Sequence, residues 1–276
     1  MIKLIATDLD NTLLNREGKI EDSSVALVER CAELGVVTAV ATGRSFRSAK
    51  AAAHRLGQDT PVICYNGCLI KEANGEILSA SYVSREVQRG IIDFAHEHGL
   101  YLVMYDNDEI VVETLRLDCH NDPDLKFTTY REIGDFRDIE LFDSPKLMLA
   151  ADPEKVPALQ AELEERYAGR AYFAQSEAHL IEIMPDGVNK GAALDLLMAR
   201  LGVTKEETMA LGDNTNDALL LEHAGLAVSV ANGVPSLKAI SDYVCEAERS
   251  EGFDEAVRKF VLEPLTAPAS DREETL

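Results

Sequence analysis

The chain has 276 residues, 46% of them hydrophobic, which is enough for one large domain or two ordinary domains with a sizeable core. Its formal net charge of −22 argues against nucleic acid or an anionic membrane surface as a partner, because phosphate groups would be repelled. No apolar run reaches the ~18 residues of a membrane span, and no basic, apolar leader precedes the first apolar run. These features predict a soluble, cytosolic protein.

The cysteines show no Cys-x-x-Cys pairing, which structural zinc sites usually need. They are therefore predicted to be reduced residues of the core or of strands. The five are Cys31, Cys64, Cys68, Cys119 and Cys245.

The first part of the chain alternates short apolar runs with amphipathic segments. The predicted strands are residues 2–7, 36–41 and 61–65, and the predicted helices are residues 21–34 and 45–56. Such alternation implies right-handed crossovers and a parallel sheet. The pattern then changes at Asn74-Gly75, which lies between two apolar pairs and predicts a hairpin.

The middle block, residues 83–184, has a different order of elements. Helices are predicted at 84–98 and 153–167, and strands at 100–105, 109–113, 146–150, 170–174 and 180–184, while 121–144 has no clear period. This order predicts an antiparallel sheet with helices on one face. His96-Glu97-His98 is interpreted as a solvated helix end, because side chains two positions apart point away from each other on a helix.

Parallel strand and helix alternation resumes after residue 184. Helices are predicted at 192–201, 217–223, 236–240 and 253–260, and strands at 208–211 and 226–230. The predicted fold class is therefore α/β, with a Rossmann-like doubly wound parallel-sheet core at 1–82 and 185–265. Residues 83–184 form an inserted α+β cap, and the polar tail 266–276 is predicted to be mobile.

Polar residues cluster where the predicted core strands end or where a helix begins. Alone, the Asp8-x-Asp10 pair is a weak signal, since two turn carboxylates could simply cap the next helix. Ligand sites of open α/β sheets, however, lie outside the carboxyl ends of the strands. The groups that share this location are Asp8, Asp10 and Thr12, then Thr42 and Gly43, then Lys190, then Asp213, Asn216 and Asp217.

This collection of side chains fits phosphoryl transfer to a carboxylate. Clustered carboxylates repel one another unless a cation neutralises them. A site that offers only a small number of hard oxygen ligands is suited to Mg²⁺. An aspartate is a known covalent nucleophile for phosphorus. Thr42 and backbone N–H groups at a helix start could hold phosphate oxygens, and Lys190 would add a compact positive charge.

Four motifs in order resemble the haloacid dehalogenase superfamily, and more narrowly its Cof-type phosphatases, which carry a large cap between the second and third motifs. They are Asp8-Leu9-Asp10-x-Thr12, Thr42-Gly43-Arg44, Asn189-Lys190-Gly191 and Gly212-Asp213-Asn214-x-Asn216-Asp217, and the similarity covers nearly the whole chain except the tail. One departure is Asn11, where Cof-type members usually have glycine. A positive φ at this position would be tolerated by asparagine.

The resemblance implies a magnesium-dependent phosphatase that acts through an aspartyl-phosphate. It makes Asp8 the nucleophile and Asp10 the general acid and base, with both on the metal together with Asp213. The remaining implied roles are phosphate binding by Thr42, Gly43, Lys190 and Asn216, support by Thr12 and Asp217, and a substrate entrance at Arg44, Asn66 and Gly67.

The expected substrate is a small phosphorylated metabolite, either a sugar phosphate or a cofactor-type phosphate, with specificity residing in the cap. Two other activities are compatible with parts of the pattern. A phosphomutase would return the phosphoryl group to its substrate. A phospho-accepting signalling module also uses an acidic cluster, a threonine and a lysine, but it is about half this length and lacks the insertion. The sequence makes no prediction of the oligomeric state.

Overall fold

The computed structural model describes residues 1–57, 60–106, 108–116, 129–175 and 177–266. The chain divides into two compact units. The first comprises Met1–Gly43, Ala49–Leu78 and the chain from Asn189 onward, and the second comprises Arg44–Ser48 and Ser79–Val188. The predictions for Cys119 and for the tail beyond residue 266 lie outside the described residues. The other four cysteines are buried, and none of them forms a disulfide with another described residue.

The first unit is built on an eight-stranded sheet. Its strands are β1 (Leu4–Thr7), β2 (Val37–Ala41), β3 (Val62–Cys64), β4 (Leu69–Lys71), β5 (Ile77–Ala80), β12 (Thr208–Gly212), β13 (Leu226–Ser229) and β14 (Tyr243–Val244), in the order β14-β13-β12-β1-β2-β3-β4-β5. Every pair from β14 to β3 is parallel, and β3 pairs with β4 in the antiparallel sense. The numbering follows the whole chain, so β6 to β11 belong to the second unit.

Strand β1 lies at the centre of this sheet, between β12 and β2. All four of its residues are buried, which explains why it reads as an unbroken apolar run rather than an alternating one. The chain moves outward from β1 to β2 and β3 on one side and from β12 to β14 on the other. The strand order therefore reverses between β1 and β12, and the predicted doubly wound α/β fold is confirmed.

Helices cover this sheet close to the predicted positions. Those assigned are α1 (Asp22–Glu33), α2 (Phe46–Leu56), α5 (Lys190–Leu201), α6 (Ala218–Glu222), α7 (Pro235–Lys238), α8 (Arg249–Val257) and α9 (Glu263–Thr266). Leu194 and Leu197 of α5 pack with Leu220 of α6 and with small strand residues such as Ala39 in one buried cluster. Helix α8 begins four residues before its predicted start, and the two-residue β14 is too short to leave a periodic signal.

The second unit contains a six-stranded sheet in the order β10-β11-β9-β6-β7-β8. Its strands are β6 (Tyr101–Asp106), β7 (Glu109–Val112), β8 (Tyr130–Glu132), β9 (Leu147–Ala150), β10 (Ala171–Ala174) and β11 (Leu180–Pro185), with helices α3 (Arg85–His98) and α4 (Val156–Arg166). The Ser84 hydroxyl accepts from Val87 N at the start of α3, and Gly99 ends that helix in the left-handed conformation. Residues of both helices and of the strands share one buried core.

The five predicted strands of this sheet pair in the antiparallel sense, but a sixth strand that the sequence did not indicate lies at one edge. Strand β8 pairs with β7 in the parallel sense and lies in the segment 121–144, which has no clear period in sequence. The strand has only three residues, none of them fully buried, so burial imposes no alternation on it. A short 3₁₀ turn, Phe136–Asp138, follows it.

Among the helices that the structure describes, none combines the length and apolar character needed to cross a bilayer.

Candidate active site

The loop after β1 is fixed to the neighbouring strand. Asp8 N donates to Leu211 O of β12 at 3.0 Å, and the next residues, Leu9–Leu13, form a wide turn. Asn11 lies in that turn with φ 61°, so the positive φ considered from the sequence is present there. Asp8 leaves the loop buried, with a side-chain exposure of 7%.

Helix α5 places a lysine next to Asp8. Asn189 caps the helix by accepting from Ala192 N at 2.9 Å, which makes Lys190 the first helical residue. The Lys190 side chain is fully buried, and its Nζ donates to Asp8 Oδ1 at 2.7 Å and to Asp217 Oδ1 at 2.6 Å. Gly191 allows this position, because a Cβ there would lie 2.4 Å from the carbonyl oxygen of Leu219.

Asp217 organises the loop after β12. Its Oδ2 accepts from Asp213 N and Asn214 N, both at 3.1 Å, while its Oδ1 is held by Lys190. Thr12 Oγ1 donates to Asp213 Oδ1 at 3.2 Å, which connects this loop to the loop after β1. One carboxylate oxygen from each of Asp8, Asp213 and Asp217 lies within 4.8 Å of the others.

Burial and like charges dominate the electrostatics of this cluster. Burial raises the pKa of Asp8 well above its ordinary value, and Asp217 and Asp10 add to the rise although Lys190 opposes it. Burial, followed by the Asp217 charge, raises the pKa of Asp213 to about 6. Burial alone would lower the pKa of Lys190, but the carboxylates of Asp217 and Asp8 outweigh it and hold that pKa above its ordinary value.

The cluster has the composition of a divalent cation site. Three buried carboxylates and one lysine leave a surplus of two negative charges, and hard carboxylate oxygens are the ligands that Mg²⁺ prefers. Both oxygens of Asp217 are already engaged. Among the described residues, by contrast, Asp8 Oδ2 and Asp213 Oδ2 have no hydrogen-bond partner. The donor set therefore fits a small divalent cation held by Asp8 and Asp213.

A second group of predicted residues lies at the carboxyl ends of β2 and β3. Thr42 N donates to Ile63 O and Thr42 O accepts from Asn66 N, so the two loops are joined by backbone hydrogen bonds. The Asn66 side chain lies over Gly43, since a Cβ on that glycine would be 3.1 Å from Asn66 Oδ1. Asn216 Nδ2 donates to the same oxygen at 3.3 Å.

Gly67 connects this second group to the start of α5. Its φ is 110°, and a Cβ there would lie 2.3 Å from the carbonyl oxygen of Asn189, which is the residue before Lys190. Asn216 is exposed and donates to Asn66, whereas Asp213 and Asp217 are buried. Positions 216 and 217 are consecutive in the 3₁₀ turn Thr215–Asp217, so their side chains leave the backbone about 120° apart.

Two further predicted residues are Asp10 and Arg44. Asp10 is half-buried, and its charge contributes to raising the pKa of both Asp8 and Asp213. Arg44 belongs to the segment Arg44–Ser48 of the second unit, where its Nη1 donates to Ser48 Oγ at 3.5 Å. Its predicted place at a substrate entrance stays a prediction.

The structure adds residues that sequence reasoning missed. Asn232 Nδ2 donates to Asn11 O at 2.8 Å, and Arg249 Nη1 donates to Asn11 Oδ1. Asn232 Oδ1 in turn accepts from Arg249 N at 2.8 Å. No sequence spacing indicates this network, because its members come from two loops and from the start of α8, and Asn11 and Arg249 are 238 residues apart. Only the unusual Asn11 marked the position.

The site combines three features: an aspartate after the central strand of a doubly wound sheet, a buried lysine paired with it, and a second acidic loop beside it. Together they define a narrow class of α/β enzyme site. Residues 5–257 match the model of haloacid dehalogenase-like hydrolases, and the chain belongs to this family.

Curated relatives of the chain are phosphatases. The 5-amino-6-(5-phospho-D-ribitylamino)uracil phosphatase of Bacillus subtilis is 25% identical over 270 residues, which cover 93% of this chain and 97% of that protein. An HMP-PP phosphatase of Yersinia pseudotuberculosis is 28% identical over 243 residues, covering 86% and 87%.

A solved structure has the same fold over nearly its full length. It is a haloacid dehalogenase-like hydrolase from Bacteroides thetaiotaomicron, which superposes with a TM-score of 0.84 at 29% identity and covers 94% of this chain and 99% of that one.

Proposed function

We propose that this protein is a magnesium-dependent phosphatase that hydrolyses a small phosphorylated metabolite through an aspartyl-phosphate on Asp8. The observation that carries the proposal is the buried contact of Lys190 with Asp8 and Asp217 at the carboxyl end of β1. The lysine holds Oδ1 of Asp8 and leaves Oδ2 without a partner among the described residues, so one carboxylate oxygen is oriented while the other is available for attack on phosphorus.

In the first step, Asp8 Oδ2 forms a bond to phosphorus as the bond from phosphorus to the ester oxygen breaks. Asp10 gives its proton to the leaving oxygen. In the second step, Asp10 accepts a proton from water, and that water attacks the phosphorus of the acyl phosphate. Inorganic phosphate leaves, and the Asp8 carboxylate is regenerated. The Gly43 N–H, which has no acceptor among the described residues, together with Asn216 and the Thr42 hydroxyl, would hold phosphate oxygens.

Mg²⁺ would be held by Asp213, by the Asp10 carbonyl oxygen and by Asp8 Oδ1, which has a second lone pair besides the one that accepts from Lys190. Asp8 Oδ2 would then remain for phosphorus, and the ion would supply positive charge next to the transferring phosphoryl group. The residues around it have distinct tasks. Thr12 orients Asp213 through a hydrogen bond, and Asp217 fixes the loop that carries Asp213 through two backbone N–H groups. Lys190 compensates the charges of Asp8 and Asp217, which would otherwise repel an incoming phosphate.

The two relatives are named as phosphatases of 5-amino-6-(5-phospho-D-ribitylamino)uracil and of HMP-PP, which favours compounds of this kind over simple sugar phosphates. The test is a panel of phosphorylated metabolites assayed for release of inorganic phosphate with Mg²⁺. The panel comprises 5-amino-6-(5-phospho-D-ribitylamino)uracil, HMP-PP, flavin mononucleotide, pyridoxal phosphate and several sugar phosphates. Phosphate release is expected, whereas formation of a phosphorylated isomer without release would identify a phosphomutase instead.

The role of Asp8 is tested by Asp8→Asn, because an amide does not attack phosphorus. We expect phosphate release to fall by more than a thousandfold with unchanged circular dichroism. Asp195→Asn is the matched control, since Asp195 is a half-exposed aspartate of the same unit that contacts His223 rather than Lys190. Activity of Asp8→Asn within tenfold of the control would exclude Asp8 as the nucleophile.

A further inference from the structure

The second unit carries a cluster of metal-binding residue types that the proposed phosphatase does not use. His96, in the last turn of α3, places its Nε2 2.9 Å from Glu113 Oε1 and 3.4 Å from Asp135 Oδ1. The sequence pattern suggested only that His96 and His98 diverge on the helix. The partners of His96 come instead from the end of β7 and from the turn after β8.

The spacing of the three side chains matches the edges of a coordination polyhedron. Ligands bound to zinc at about 2.1 Å lie roughly 3.4 Å apart in a tetrahedron and roughly 3.0 Å apart in an octahedron. The two distances from His96 Nε2 fall at these values, and one ligand atom from each residue lies within 4.8 Å of the other two. All three side chains are half-buried, so an ion could reach them from solvent.

An adjoining cavity supplies room for the remaining ligands. It has a volume of about 300 Å³ and is lined by both His96 and Glu113, together with Arg116 and Phe136. Among the described residues, Glu113 Oε2 has no hydrogen-bond partner, whereas Oε1 accepts from Phe136 N at 2.8 Å. This backbone contact fixes the glutamate beside the cavity while leaving lone pairs on the carboxylate.

We propose that His96, Glu113 and Asp135 form a second metal site, which binds a zinc-like divalent transition-metal ion with water in the open positions. One imidazole and two carboxylates favour such an ion over Mg²⁺ or Ca²⁺, which prefer oxygen ligands alone. The ion connects the end of α3 to the end of β7 and to the 3₁₀ turn. Its binding therefore stabilises the second unit and is separate from the chemistry at Asp8.

One neighbour competes with the ion. Arg137 N and Nε both donate to Asp135 Oδ1, at 2.8 and 2.9 Å. The backbone donor remains compatible with a bound ion, but the cationic guanidinium repels one. Removing the Arg137 side chain should therefore tighten zinc binding, whereas in a purely structural ion-pair network its removal would bring no gain.

The experiment measures zinc equivalents by calorimetric titration of the full chain. Asp213→Asn serves as the parent, so that the acidic site at Asp8 is already weakened and is common to every variant. The parent is expected to bind one more zinc equivalent than the same protein carrying Glu113→Gln, or to bind it at least about tenfold more tightly. Glutamine keeps an oxygen for Phe136 N, so this variant retains its fold, which circular dichroism checks.

Two further variants sharpen the result. His98→Ala is the matched control, because His98 lies two residues after His96 in α3 but does not belong to the cluster. This variant should bind zinc as the parent does. Arg137→Gln should bind zinc about two- to fivefold more tightly. Equal zinc binding by the parent and by Glu113→Gln, or unchanged or weaker binding by Arg137→Gln, would overturn the proposal and leave His96 in an ion-pair network alone.

Discussion

Replacing Lys190 with methionine should destabilise the protein strongly, because methionine has a similar length but no charge. Lys190 is fully buried and donates to two buried carboxylates at 2.6 and 2.7 Å. Removing one partner of a buried ion pair typically costs about 3–5 kcal/mol, since it leaves an uncompensated buried charge. Here two carboxylates lose their cation at once, so we expect a loss near the upper end of that range in the absence of divalent ions.

The double variant Lys190→Met/Asp217→Asn tests the electrostatic origin of the loss. It removes one of the two stranded charges while the asparagine oxygen still accepts from the Asp213 and Asn214 N–H groups, so it should be more stable than Lys190→Met by at least about 1.5 kcal/mol. Lys205→Met, an exposed lysine of the same unit, is the control and should stay within about 0.5 kcal/mol of wild type.

Urea denaturation followed by circular dichroism, in EDTA at pH 7.5, measures each free energy of unfolding. The reasoning would be refuted by a Lys190→Met loss below about 1 kcal/mol, or by a double variant no more stable than the single one. Either result would mean that Asp8 and Asp217 do not depend on the lysine for compensation.

Four further outcomes are expected. Asp10→Asn should slow hydrolysis of a sugar phosphate more than that of p-nitrophenyl phosphate, by roughly a hundredfold or more, because only the poorer leaving group needs a proton; equal losses on both would remove the acid role. EDTA should abolish phosphate release and Mg²⁺ should restore it, so full activity in excess EDTA would exclude the metal. Gly212→Ala should cost about 1–3 kcal/mol of stability and most of the activity, since its Cβ would lie 2.5 Å from Asp217 Cβ; unchanged thermal unfolding would contradict this packing. Without metal, the free energy of unfolding should fall by about 1–2 kcal/mol as the pH rises from about 4 to about 6. The reason is that folded Asp213, with its pKa raised to about 6, keeps a proton that the unfolded chain has already lost. Asp213→Asn should remove that part of the pH dependence.

Much of the fold was predictable because burial imposes a period on the sequence. Strands such as β1 and β12 are buried on both faces and therefore appear as apolar runs, while α3 and α5 end at glycines in the left-handed conformation. The elements that were missed lack such a constraint. Strand β8 is three residues long and none is fully buried, so nothing in its side chains records its pairing with β7.

The site was predictable for a different reason. Residues that follow neighbouring parallel strands must meet at one edge of the sheet, which brings Asp8 and Asp213 together whatever the helices do. The contacts beyond that edge were not predictable. Asn232 lies in a loop and Arg249 at the start of α8, and no sequence period indicates that both contact Asn11. Nor does a period indicate that the exposed Asn216 donates to Asn66.

The hydrogen bonds of Lys190 connect the stability of the site to its proposed chemistry. The lysine engages one oxygen of Asp8 and one of Asp217, and the second oxygen of Asp217 is engaged by two backbone N–H groups. Asp217 is thus fully satisfied and acts as a fixed support, whereas Asp8 is held by one oxygen only. A nucleophile needs this arrangement, because the carboxylate must be oriented and yet keep an oxygen for phosphorus. The cost is a surplus of buried negative charge at Asp8 and Asp213, which a divalent cation would offset. The same charges that make the metal-free site unfavourable therefore select the ion that the proposed reaction requires.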